Sequence, residues 1–193
     1  MGEEIEVVDP AGSLLTVRLD RISDERIEGV IVAEREHKPE PEARITVAIA
    51  QLPAPALELV LSRCTEIGAF SFRIFAADRS IARGAKLERW NTICREAAML
   101  AGRTRVPQVD GPSTFDEVAE AEHPVLLVRG APTALAAVIE PRDLTLLIGP
   151  EGGWSERELA TVQLKAGLGP RNLRADTAAL VGLAVALAAR RQL

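Results

Sequence analysis

The chain has 193 residues, 47% of them hydrophobic and 26% charged, with a net charge of −5 and two cysteines. That composition excludes a disordered or fibrous chain, and no apolar run approaches the roughly 18 residues a membrane-crossing helix needs. The length suits one good-sized domain, or one domain with a small attachment. Cys64 and Cys94 stand far apart and outside any Cys-x-x-Cys pair, so they read as buried free thiols in a reducing compartment. His37 and His123 are isolated, and no metal-ligand spacing is present. The start, MGEEIEVVD, is acidic, lacks a signal-peptide core and has Glu6 where a myristoylation signal needs Ser or Thr, so a cytoplasmic location is expected. Charge is unevenly distributed: residues 1–50 and 110–160 are acidic, whereas 51–109 and 161–193 are basic. If the basic blocks meet in space they give an acidic protein one basic face; if not, they are solvated surface charge.

In chain order, EIEVVD, LLTVRLDRI, RIEGVIVAE and ARITVAIAQ read as short strands, with Pro10-Ala11-Gly12 and Ser23-Asp24-Glu25 as turns. The stretch HKPEPEA, residues 37–43, reads as a linker after a small β module with few strands for independent stability. From there strands and helices alternate. ALELVLSRCTEIG has helical spacing and ends at Gly68, a natural left-handed terminator. SFRIFAA is strand-like. LERWNTICREAAMLAG is a clear amphipathic helix with Leu87, Trp90, Ile93, Cys94 and Ala97 on one face. After VPQV, Thr114-x-x-Glu117 opens a short helix as a capping box, and Ser155-x-x-Glu158 is a second such box. HPVLLVRG and LTLLIG are strands, and DTAALVGLAVALAARRQL is a final helix rich in small residues. Near-continuous apolar strands between helices predict an α/β fold, a parallel sheet covered by helices on both faces.

LTLLIG runs into Pro-Glu-Gly-Gly and then a capped helix, which puts a bare glycine turn at the carboxyl end of a sheet strand, where open α/β sheets bind ligands. It is neither a dinucleotide fingerprint nor a P-loop, and Glu151 repels phosphate. The turn suits a ligand read by backbone amides and carbonyls, or else is simply a tight strand-to-helix connection.

LIGPEGGWSERE followed by LGPRNLRADTAAL resembles the paired signature of the SPOUT-class methyltransferases that methylate N3 of a uridine in small-subunit ribosomal RNA. RCTEIGA, the block from DRSIARG to TRVPQV, and GEEIEVVDPAG also resemble segments of that family, in order and over nearly the whole chain. The resemblance implies a trefoil-knotted SPOUT domain over residues 43–193 and a partial, PUA-like β domain over 1–42. It implies S-adenosyl-L-methionine as cofactor, a homodimer, small-subunit rRNA or the assembled small-subunit particle as partner, and neither membrane nor metal. By motif, Leu147, Ile148, Gly149, Gly152 and Gly153 form one wall of the cofactor pocket, and Leu168, Asn172, Leu173 and Arg174 form the loop facing it.

The chemistry that the resemblance implies requires a proton to leave uracil N3 and negative charge to be stabilised on the flanking carbonyls. Arg174 and Arg103 are the candidates for stabilising that charge. Glu151 is the candidate proton acceptor, with holding the amides of its own turn as the alternative role. Arg79, Arg83, Lys86, Arg89 and Arg105 in the basic block, together with Arg103, make the best RNA-facing set. Base stacking falls to Trp154 or to arginine planes, whereas Trp90 reads as core. Three departures from the family pattern stand out. The opening strands of the β domain are absent. KAG joins LGPR directly, which predicts the loss of a central strand entering the knot. Asn172, Asp176 and Leu100 replace an aliphatic residue, Glu and Gln, and Asn172 is expected to bury an amide. The retained signature favours an active methyltransferase; the missing strand favours an inactive relative serving as a cofactor- or RNA-binding dimeric module.

Overall fold

The computed structural model describes residues 2–9, 11–81, 84–138 and 143–193. Two sheets organise it. The first is antiparallel, in the order β1-β2-β3, from β1 (Glu4–Asp9), β2 (Ser13–Ile22) and β3 (Ile27–Glu36). Gly12, at φ 98°, turns β1 into β2, and Ser23 closes the next turn through a hydrogen bond from its backbone N–H to the Arg26 carbonyl. Of the described large apolar residues in this module only Leu14 and Leu19 are buried, while Ile22, Ile27, Val30, Ile31 and Val32 are exposed. Three strands with so little buried surface depend on their attachment to the rest of the chain.

That attachment is firmer than a linker. His37 Nε2 lies 2.6 Å from the Gly102 carbonyl, and Glu40 receives Arg103, Thr104 and Arg105. The segment 37–43 is therefore fastened to the second unit by a buried guanidinium, which its Pro- and charge-rich composition conceals.

The second sheet has six parallel strands in the order β6-β5-β4-β8-β7-β9. They are β4 (Ile45–Ala50), β5 (Ser71–Ala76), β6 (Gln108–Thr114), β7 (Pro124–Leu127), β8 (Leu144–Ile148) and β9 (Lys165–Ala166). Alternation along β4 explains the two cores. Ile45, Val47 and Ile49 face a cluster closed by helices α1 (Ala54–Ile67), α2 (Leu87–Leu100) and α5 (Ala175–Ala188), and Ala48 and Ala50 face the opposite side. That opposite side holds Phe75, Phe115, Leu126 and Leu147 under the short helices α3 (Phe115–Ala119) and α4 (Glu156–Thr161). Gly68 ends α1 at φ 117°, and both capping boxes form as their spacing indicates. On α2 the buried face is Trp90, Cys94, Ala97 and Ala98; Leu87 is exposed.

β9 corrects one expectation. The junction at Lys165–Leu168 retains a strand, and Leu126 and Leu127 of β7 pair with Lys165 and Ala166. The strand is an edge strand rather than a central one, so its two-residue length opens no gap inside the sheet. Just beyond it, the chain at Gly167 is wrapped by the 128–135 segment. Gly167 N–H donates to the Thr133 carbonyl (2.8 Å), and the Gly167 carbonyl accepts from Leu135 N–H (2.9 Å). The carbonyls of Val128 and Ala131 lie 3.3 and 3.2 Å from where a Cβ would be. Only glycine passes here without moving the loop around it.

Candidate functional site

β7 and β8 end side by side, and the chain beyond each builds one rim of a cavity of about 430 Å³. After the fully buried β8 comes the glycine turn. Gly153 N–H donates to the Pro150 carbonyl (2.9 Å), and Gly153 takes φ 70°, a left-handed geometry that glycine supplies without strain. Gly149 sits against Trp154, so closely that a Cβ there would come within 2.8 Å of the indole. Trp154 is in turn fixed. Its Nε1–H donates to the Leu127 carbonyl (2.9 Å), its ring lies parallel to Phe75 and it meets Phe115 edge-on. The indole lines the cavity while it packs in the second core, which leaves it less free for base stacking than expected.

A network outside the cavity holds the turn in place. Glu158 is fully buried and accepts from the N–H groups of Ser155 and Asp78. The Arg157 guanidinium bridges Asp78 and Asp116, and together with the Ser155 hydroxyl it keeps the Asp78 carboxyl below its usual range. Asp78 is followed by Arg79, whose Nη1 donates to the Gly152 carbonyl at 3.1 Å. The loop after β5 is thereby clasped to the glycine turn.

The facing wall is the segment from Leu168 to Arg174, which leads into α5. Arg174 Nε and Nη2 reach the two oxygens of Asp176 at 3.2 and 2.9 Å, and Thr177 N–H donates to Asp176 Oδ1 at 2.7 Å. Burial opposes ionisation of Asp176, yet the guanidinium and the N–H outweigh it and hold the carboxyl below its ordinary range. The result is an arginine whose guanidinium is held in place while its side chain is 70% exposed.

Of the sequence-predicted residues, Ile148, Gly149, Glu151, Gly153, Leu168, Asn172, Leu173 and Arg174 line this one cavity. Leu147, by strand alternation, points into the second core instead. Gly152 adjoins the lining and is occupied by Arg79. Arg103 is not brought to the cavity. Its side chain is 4% exposed and spends its donors on Glu40 and on the carbonyls of Thr65 and Ala69, beside a different, smaller cleft. Asn172 is exposed, so its amide needs no buried partner, and Leu100 is exposed too.

The predicted RNA-facing residues are dispersed. Arg89 forms a two-pronged ion pair with Glu58, and Arg105 stacks over the Phe70 ring at 3.4 Å in the smaller cleft. Arg79 is engaged with Gly152, Lys86 is exposed just before α2, and Arg83 lies outside the described residues. Sequence reasoning missed Leu127, Val128 and Arg129 at the end of β7, Arg171 within GPRNLR, and Ala178 on α5. The β7 residues are adjacent to the glycine turn only through sheet order, which the local sequence does not carry. Arg171 belongs to the LGPRNLR segment itself, so its signal is present in the sequence.

A family model described as an RNA methyltransferase domain matches residues 38–187. The ribosomal RNA small subunit methyltransferase E of Synechocystis is 32% identical over 95% of this chain and 65% of its own length. That of Bacillus subtilis is 27% identical over 94% of this chain and 80% of its length. The chain thus spans roughly two thirds to four fifths of these relatives. Among solved structures, the Neisseria gonorrhoeae ribosomal RNA small subunit methyltransferase E bound to S-adenosyl methionine superposes with a TM-score of 0.87 at 25% identity. It covers 97% of this chain and 83% of that one. A methyltransferase from Legionella pneumophila with bound cofactor SAM superposes at 0.84 with 26% identity, over 97% and 84% of the two chains.

Proposed function

Since the chain belongs to the RNA methyltransferase domain family, we propose that it is an S-adenosylmethionine-dependent methyltransferase acting on small-subunit ribosomal RNA, with N3 of a uridine as the acceptor. The observation that carries this reading is the single cavity shared by the Ile148–Gly153 turn and the Leu168–Arg174 loop. Its volume suits a nucleoside-sized cofactor, with an apolar side from Leu127, Ile148, Leu173 and Ala178 and backbone polar groups along the turn. Glu151 and the absence of a phosphate-cradling motif disfavour a phosphorylated cofactor.

The cofactor, when bound, supplies an electrophilic methyl group on a sulfonium. This chain's residues do the rest. Trp154 and the Arg79 clasp hold the turn rigid, so the cavity costs little to organise at the moment of reaction. Arg174, steadied by Asp176, presents a guanidinium to the uracil carbonyl on which negative charge grows as N3 loses its proton. Glu151, exposed at the cavity, is the acceptor for that proton. The inactive-relative reading loses its main support, because the strand whose loss it requires is present as β9.

The division at residues 42 and 43 is part of the same proposal, supported by the end of the antiparallel sheet at Glu36 and the start of the parallel one at Ile45. So is a homodimer, supported by the small-residue helix α5, on which Val181 remains exposed. The test is calorimetric titration with S-adenosylhomocysteine. Micromolar binding is expected, and Ala178→Phe, which fills the cavity from α5, should abolish it while the circular dichroism spectrum stays native. No binding up to millimolar concentration by folded protein overturns the reading.

A further inference from the structure

Among the described residues, three arginines and one carboxylate line the cavity: Arg129, Arg171, Arg174 and Glu151. This concentration of positive charge occurs in a protein whose net charge is −5. Arg174 already has a carboxylate partner in Asp176 and is assigned above to the uracil carbonyl. Arg129 and Arg171 are exposed and have neither an ion pair nor a side-chain hydrogen bond among the described residues.

The two arginines are mounted on two segments of the cavity wall that are tied together. Arg129 follows Val128, whose N–H donates to the Ala166 carbonyl (2.9 Å), in the segment that wraps Gly167. Arg171 lies four residues beyond Gly167 on the segment so wrapped. The hydrogen bonds of Gly167 to Thr133 and Leu135 fix one segment against the other.

Charge decides what these two guanidiniums are for. The cofactor proposed above carries one carboxylate against an ammonium and a sulfonium, so it brings net positive charge into an already cationic cavity. It cannot neutralise two free arginines at the rim. A phosphodiester can, and a base drawn into the cavity leaves its flanking phosphates at the mouth.

We propose that Arg129 and Arg171 form a two-pronged grip for the RNA backbone phosphates that flank the target nucleotide. The proposal rests on the cavity's reading as the methyl-transfer site. The grip sits on the rim that also holds the cofactor wall, so a phosphate seated there fixes the acceptor base against the glycine turn. Arginine forks suit phosphate oxygens because they bind two at once.

The experiment compares wild type, Arg129→Gln, Arg171→Gln, the double Gln variant and the double Lys variant. Each is titrated with a fluorescein-labelled single-stranded oligouridylate at several salt concentrations, and separately with S-adenosylhomocysteine. Each Gln substitution should weaken oligonucleotide binding roughly tenfold and reduce the slope of log K against log salt by about 0.7, hence about 1.4 for the pair. The double Lys variant should recover the slope, and S-adenosylhomocysteine affinity should stay within about twofold of wild type throughout. An unchanged salt slope in the double Gln variant overturns the grip. Loss of S-adenosylhomocysteine binding with an unchanged slope reassigns the arginines to the cofactor carboxylate and overturns it equally. Failure of wild type itself to bind S-adenosylhomocysteine counts against the methyl-transfer reading instead, and the salt slope still decides the grip.

Discussion

Replacing Arg103 separates a structural role from a chemical one. The guanidinium is 4% exposed and donates to both oxygens of Glu40, to the Thr65 carbonyl at 2.8 Å and to the Ala69 carbonyl at 3.0 Å. Arg103→Met keeps much of the volume but leaves Glu40, 25% exposed, without its main counter-charge, and leaves two carbonyls without this donor. Removing one partner of a buried ion pair costs about 3–5 kcal/mol. Glu40 keeps the N–H groups of Thr104 and Arg105 and some solvent, which places the expected loss toward about 3 kcal/mol. For a chain of this length that lowers Tm by roughly 6–12 °C. The assay is urea unfolding followed by circular dichroism, with S-adenosylhomocysteine titration of the folded variant alongside. The double variant Arg103→Met/Glu40→Gln should regain part of the loss, since no charge is then stranded. A variant with wild-type stability but weakened cofactor binding or methyl transfer would refute the structural assignment and restore Arg103 as a candidate for the chemistry.

Other substitutions probe the remaining supports of the site. Gly167→Ala places a Cβ 3.2–3.4 Å from backbone atoms of the loop around it, and should cost about 1–3 kcal/mol in chemical denaturation with weakened S-adenosylhomocysteine binding. Asp176→Asn should remove a pH dependence: with its folded pKa below the unfolded value of about 3.9, Asp176 stabilises the native state at neutral pH and loses that contribution as pH falls through the acidic range. The stability gap between wild type and Asp176→Asn, read from urea midpoints, should be widest near neutrality and close below about pH 4. Cys64 and Cys94 are buried, and burial pushes both thiols up, so neither should react with Ellman's reagent until denaturant is added.

What the sequence makes legible follows the range of each interaction. Helix α2 shows itself through spacing, Gly68 through the conformation it permits, and both capping boxes through a four-residue pattern that closes on itself. The glycine turn and the GPRNLR loop are readable separately, and the cavity does join them. Long-range pairing is not written locally. Glu40 meets Arg103 across 63 positions, so the segment 37–43 reads as a linker when it is a fastening. Leu127 to Arg129 reach the cavity because β7 lies between β8 and β9, an order that no window of residues specifies. The two-residue β9 is too short to announce itself by alternation, and it exists because β7 presents it an edge. Arg89 and Arg105 show the same limit for charge: their basic block is plain in the sequence, but Glu58 and the Phe70 ring that engage them are distant in it.

The central claim is methyl transfer to RNA from this cavity. Small-subunit particles lacking the modification should be incubated with the protein and radiolabelled S-adenosylmethionine, and the RNA digested to nucleosides for mass spectrometry. Label in 3-methyluridine, abolished by Ala178→Phe and strongly reduced by Arg174→Ala, is the predicted result. Folded protein that binds S-adenosylhomocysteine yet transfers no methyl group to RNA in particles or free rRNA would contradict it.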